Sequence, residues 1–156
     1  MNRPINRFAT FLVLFLPLLS FSQQAAEESV WLSDLDLSKM TCVMGVPKTN
    51  LSIRGDTMRI GGEKFERGVG THAYSRMLID LHRKAKKFSA KVGLDDGAYV
   101  HASISFYVVG DKKVLWESGP VKHGEKPRAV NIDLTGVKKL GLLVTVNRED
   151  ISENYA

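Results

Sequence analysis

From Trp31 onward, apolar and polar residues alternate with a period of two, the spacing of half-buried β-strands rather than of helices. Met77, Ile79 and Leu81 alternate with Leu78 and Asp80, and Phe88, Ala90, Val92 and Leu94 with Ser89, Lys91 and Gly93. Val100, Ala102, Ile104, Phe106 and Val108 define another apolar face against His101, Ser103, Ser105 and Tyr107, which aims His101 away from the core. Val130, Ile132 and Leu134 follow, and Leu140, Leu142, Val144 and Val146 close the series. Thr41-Cys42-Val43-Met44 adds a short apolar, strand-like run. Turn chemistry falls between the runs. Gly61-Gly62 and Gly110-Asp111 are hairpin signals, and Asp95-Asp96-Gly97, Ser118-Gly119-Pro120 and Thr135-Gly136 mark other turns. About eight to ten short strands with one apolar face each predict an all-β chain of two packed antiparallel sheets, a jelly-roll β-sandwich from about Val30 to the end.

The N-terminus breaks this pattern. Arg3 and Arg7 precede an uncharged, mostly apolar stretch from Phe8 to Phe21, and Ser20-Phe21-Ser22 supplies small residues for cleavage. Residues 1–22 therefore read as a signal peptide and 23–29 as a flexible lead-in, with the sandwich over 30–156 and a secreted or periplasmic location. The apolar stretch is short of the ~20 residues of a membrane helix and contains Pro17, so no membrane association is expected after cleavage. The formal charge of +5 loses two arginines with the leader, leaving a weakly basic domain. Its densest basic run, His82-Arg83-Lys84-Ala85-Lys86-Lys87, lies between two apolar runs and reads as a solvated turn, so nucleic acid is not an expected partner. A single cysteine, Cys42, excludes an internal disulfide framework and reads as a buried thiol.

Catalytic signatures are missing: there is no G-x-S-x-G, no H-E-x-x-H and no phosphate loop. Gly68-Val69-Gly70 mimics part of a dinucleotide fingerprint but has no helix after it. Asp95-Asp96 is the most suggestive acidic pair. Adjacent carboxylates can ligate calcium or accept hydrogen bonds from sugar hydroxyls, and they can equally hold local N–H groups in the turn before Gly97. Neighbours on one turn do not make a glycosidase pair, whose members face each other across the scissile bond. His72, between strands, suits either a structural or a binding role. His101 and Tyr99 neighbour the Asp95–Gly97 turn and could share a polar site with it.

The order of these motifs carries a resemblance. Trp31-Leu32-Ser33-Asp34-Leu35, Ile60-Gly61-Gly62, Gly68-Val69-Gly70-Thr71-His72-Ala73 with Ser75, and then Phe88-Ser89-Ala90 with Val92-Gly93-Leu94-Asp95-Asp96 resemble the NPCBM module, a relative of carbohydrate-binding module family 51. Phe106 to Gly110, Trp116-Glu117-Ser118-Gly119 and Val130 to Gly136 fit its later strands. The resemblance implies a galactose-binding-like jelly roll that takes sugars in loops at one end. It also implies a non-catalytic accessory domain beside a glycoside hydrolase, with galactose-containing glycans as partners and in some members a structural calcium ion. His72, Asp95 and Asp96 match its motif positions; Tyr99 and His101 join the candidate set by proximity. Two departures stand out. Leu37 and Val43-Met44 occupy an early segment where the family often has tryptophans, and the chain reaches Asn154-Tyr155-Ala156 before the family's final strand. An unfilled edge of that kind predicts an alternative role, a β-sandwich that docks another chain through its open edge.

Overall fold

The computed structural model describes residues 28–147, and within them two single-turn 3-10 helices, Leu32–Asp34 and Leu37–Lys39, precede an all-strand body. The leader assigned to residues 1–22 and the segment after Asn147 lie outside the described residues. In chain order the strands are β1 (Thr41–Cys42), β2 (Lys48–Thr49), β3 (Met58–Ile60), β4 (Glu63–Phe65), β5 (Val69–Gly70) and β6 (Ser75–Asp80). They continue as β7 (Lys87–Val92), β8 (Ser103–Gly110), β9 (Lys113–Glu117), β10 (Val121–Lys122), β11 (Arg128–Asp133) and β12 (Lys139–Val146).

One sheet runs β1-β6-β12-β8-β10, with β9 also on β8; the facing pair is β11-β7, and every pairing is antiparallel. Register brings the apolar faces together. Leu142 sits between Met77 and Val108, while Val130 opposes Ala90 and Ile132 opposes Phe88. Val108, Val130, Leu134 and Leu140 form the buried centre, with Phe88, Val92, Trp116 and Leu142 packed around it. Each such Val or Leu contributes about 1.5–3 kcal/mol by leaving water, so this seam dominates the stability of the sandwich. The N-terminal segment is clipped on from outside. Arg67 Nη2 donates to Asp34 Oδ1 at 2.5 Å while its guanidinium lies 4.9 Å over the Trp31 ring.

Several strand limits differ from the expectation, each for a local reason. The apolar run begun at Val100 enters the sheet only at Ser103. Tyr99 to Ala102 is a turn closed by Ala102 N donating to Tyr99 O at 2.9 Å, which leaves Val100 68% exposed. Ser103 and Ser105, expected in solvent, are buried. β8 is an interior strand, and these small side chains sit between neighbours such as Lys122 and Thr145 across the ladder. The Thr41–Met44 run pairs with β6 at Thr41 and Cys42, and Val43 and Met44 are mostly exposed. Cys42 is half-buried rather than buried, its thiol donating to Met44 O at 3.0 Å.

The hairpin at Gly61-Gly62 forms as expected, both residues holding positive φ (56° and 83°). In the second hairpin the turn residues are Asp111 and Lys112, at φ 47° and 73°, one position later than the sequence suggested. Gly110 belongs to β8, where a Cβ would come within 2.6 Å of Leu115 Cδ1. The basic run from His82 is the exposed β6–β7 connection, where His82 N donates to Asp80 Oδ1 at 3.1 Å.

Candidate functional site

Strand direction sorts the loops into two ends. β6, β8 and β11 begin at one end, where β7 and β12 finish. Segments 71–74, 93–102 and 118–127 therefore open at that end, while 81–86, 111–112 and 134–138 turn at the other. His72, Asp95, Asp96, Tyr99 and His101 all fall at the first end. The sheet topology thus places the whole candidate set at one end, on two separate loops.

The aspartate pair holds the end together. Asp95 accepts from Gly97 N at 2.9 Å through Oδ1 and from Arg59 N at 3.0 Å through Oδ2. Asp96 accepts from Gly61 N at 2.7 Å and Gly62 N at 2.9 Å, one amide per oxygen. The Asp96 amide donates to Arg59 O at 2.8 Å, and its carbonyl meets His123 Nε2 at 3.0 Å. The β3–β4 hairpin, the β7–β8 loop and the β10–β11 loop therefore converge on Asp96. Such N–H to carboxylate bonds are charge-assisted and stronger than neutral ones. A second brace comes from Arg128, which donates to Ser118 O, to Pro120 O at 2.7 Å and to Glu125 Oε2 at 2.8 Å. The guanidinium holds the Glu125 carboxyl below its ordinary range.

On this frame stand the side chains able to meet a ligand. Tyr99 is 81% exposed and His101 is exposed beside it in the turn. His72 is half-buried, and its Cδ2 and Ile53 Cδ1 border the space above Gly45. Arg54, the residue after Ile53, lies against the β7–β8 loop. Its guanidinium lies 5.9 Å from the Tyr99 ring centroid and its stem flanks Gly97. The segment at 50–56 thus joins the His72 and Tyr99 regions. Sequence reasoning passed over Arg54 and His123; the Arg54-Gly55-Asp56 turn was the available signal for the first.

Calcium does not fit the aspartate pair. Each of the four carboxylate oxygens already accepts one amide N–H, which leaves the pair far short of the six to eight oxygen ligands that calcium takes. Among the described residues no group of three or more His, Cys, Asp or Glu gathers as a metal site.

A jelly-roll sandwich with exposed aromatic, imidazole and guanidinium groups on braced loops at one end is the class of fold this chain presents. Its family is shown directly: the NPCBM/NEW2 domain matches residues 28–156, and the chain belongs to that family of carbohydrate-binding modules. The CBM51 module of Clostridium perfringens GH95, solved in complex with methyl-galactose, is 29% identical. It superposes with a TM-score of 0.66 over 74% of this chain and 86% of that one. The CBM51 domains solved with the M60 catalytic domain of Clostridium perfringens ZmpB share the fold at 24% identity and a TM-score of 0.71, covering 77% of this chain and 13% of that one. Alpha-1,3-galactosidase B of Akkermansia muciniphila is 30% identical over 103 residues, 64% of this chain. The match spans only 13% of that relative's length.

Proposed function

We propose that this chain is an exported, non-catalytic module that binds galactose-type glycans through the loop end and serves as an accessory to a glycoside hydrolase. The observation that carries the reading is the gathering of His72, Tyr99 and His101 at one end of a fold whose 29%-identical neighbour was solved with methyl-galactose. Tyr99 offers a ring face for the apolar C–H face of a pyranose, while His101 and His72 offer ring nitrogens to hydroxyls. Hydroxyl-directed bonds select stereochemistry because a misplaced hydroxyl leaves a polar group unpaired.

Asp95 and Asp96 matter to binding through their hold on the loop that carries Tyr99 and His101. Titration calorimetry with methyl-galactoside tests the reading, with affinity expected in the range of about 10 μM to 1 mM for an open site. Tyr99→Ala is expected to lose binding by tenfold or more, as about 1.4 kcal/mol of lost contact implies. Absence of binding by the folded chain to any galactoside would overturn the proposal. Export is tested by sequencing the N-terminus of secreted protein, where cleavage after Ser22 is expected.

A second reading, docking of another chain at a sheet edge, has one observation in its favour. β1 pairs with β6 only at Ser75 and Arg76, so Met77 to Asp80 have no strand on that side among the described residues. Concentration-independent monomer mass by light scattering would count against a second copy as the docked partner.

A further inference from the structure

We propose that the loop end selects anionic glycans, with Arg54 and Lys48 receiving a sulfate ester or carboxylate carried by a galactose-type sugar. The inference rests on the sugar-binding reading above and names the ligand class more narrowly. Lys48 and Arg54 flank one turn: a Cβ at Gly55 would lie 3.0 Å from the Nζ of half-buried Lys48, and Gly55 follows Arg54 directly. Arg54 is exposed, beside the exposed Tyr99 ring. Among the described residues neither cation has a carboxylate within ion-pair distance.

The acids nearby are committed elsewhere or stand apart. Asp95, across Gly97 from the Arg54 stem, holds the amides of Arg59 and Gly97. Asp96 holds Gly61 and Gly62, and Glu125 is paired with Arg128. Asp56 is exposed at the same turn but bridges neither cation. A guanidinium beside an aromatic ring presents a planar fork of donors that matches a carboxylate or sulfate. Lys48 adds a point charge from the adjacent strand β2. Tyr99 would then contact the sugar ring while Arg54 meets its anionic substituent.

The test measures affinity of the full chain for methyl-galactoside, a 3-O-sulfated galactoside and a sialylated galactoside, with the ratio of anionic to neutral affinity as readout. Wild type is expected to prefer an anionic form by about fivefold or more, a charge-assisted increment. Arg54→Gln, and more completely Arg54→Gln with Lys48→Gln, should bring the ratio to about one, as should raising NaCl from about 50 to 500 mM. Preference for the sulfated or the sialylated form identifies the source of the anion; either supports the proposal. Equal affinity for neutral and anionic sugars, or a preference that survives the double substitution, overturns it while leaving galactose binding intact. Failure to bind any of the three sugars instead removes the reading beneath it. Unchanged thermal midpoints in both variants establish that they fold.

Discussion

Replacing Asp96 by alanine separates a latch from a ligand. Asp96 binds two amides of the β3–β4 turn, at 2.7 and 2.9 Å, one through each oxygen. Hydrogen bonds to charged groups contribute about 1.5–3 kcal/mol each. The amide of Gly62 is exposed and returns to water on substitution, while that of Gly61 is half-buried and is partly stranded. The lower half of the range therefore applies, giving a loss of about 3–4.5 kcal/mol for the two bonds. For a domain of this size that corresponds to a fall in Tm of roughly 12–18 °C. Asp96→Asn keeps one acceptor but turns an NH2 towards a donor, and should lose about half as much. Tyr99→Ala is the control: at 81% exposure it should cost less than about 0.5 kcal/mol. Urea unfolding followed by circular dichroism gives these values directly. An Asp96→Ala protein as stable as wild type but unable to bind galactoside would refute the latch and make the carboxylate a direct sugar contact.

Gly70→Ala should prevent folding or cost several kcal/mol, since its Cβ would lie 2.2 Å from Leu51 O, whereas Gly124→Ala meets nothing within 4 Å and should cost only the ~1 kcal/mol of its positive φ. Equal expression and melting of the two variants would contradict that ordering. Acid should destabilise the domain. Asp111 is lowered from its ordinary 3.8 by the amides of Lys138 and Lys139, Asp133 from 3.8 by the Thr135 hydroxyl, and Glu125 from 4.5 by Arg128. Carboxyls lowered by folding stabilise fully above those ordinary values and lose the contribution as pH falls below them. The urea midpoint should then be level from about pH 7 to 5 and decline below about pH 4, less steeply in Asp111→Asn; a level midpoint to about pH 2.5 would disprove it. EDTA should not loosen the hold of Asp95 and Asp96, given the amides facing them, and a chelator-dependent fall in Tm that Asp96→Ala abolishes would reveal a metal at the pair.

The sandwich was legible because its core obeys the period-two rule. Met77, Val108, Val130, Leu140 and Leu142 all lie on the faces their alternation assigned. Periodicity misled where strand position overrides it. Ser103 and Ser105 are hidden because β8 has neighbours on both sides, and Val100 is exposed because a turn comes first. Gly110 marked the right hairpin for the wrong reason, since close approach of Leu115, rather than φ, requires glycine there. At the candidate site, sequence proximity joined Asp95, Tyr99 and His101, and only the topology adds His72 to the same end. The partners of the aspartates could not be read from sequence, because Arg59, Gly61 and Gly62 lie about 35 residues away and contribute backbone amides. Arg54 was hidden for a similar reason: its significance is its place beside Tyr99, 45 residues further on.

The most direct measurement of the central claim is an amide chemical-shift titration of the full chain with methyl-galactoside. Shifts confined to residues 53–56, 71–74 and 93–102, saturating in the millimolar range or below, are the predicted result. No shifts at saturating sugar, or shifts centred on the opposite loops at 81–86, 111–112 and 134–138, would contradict it.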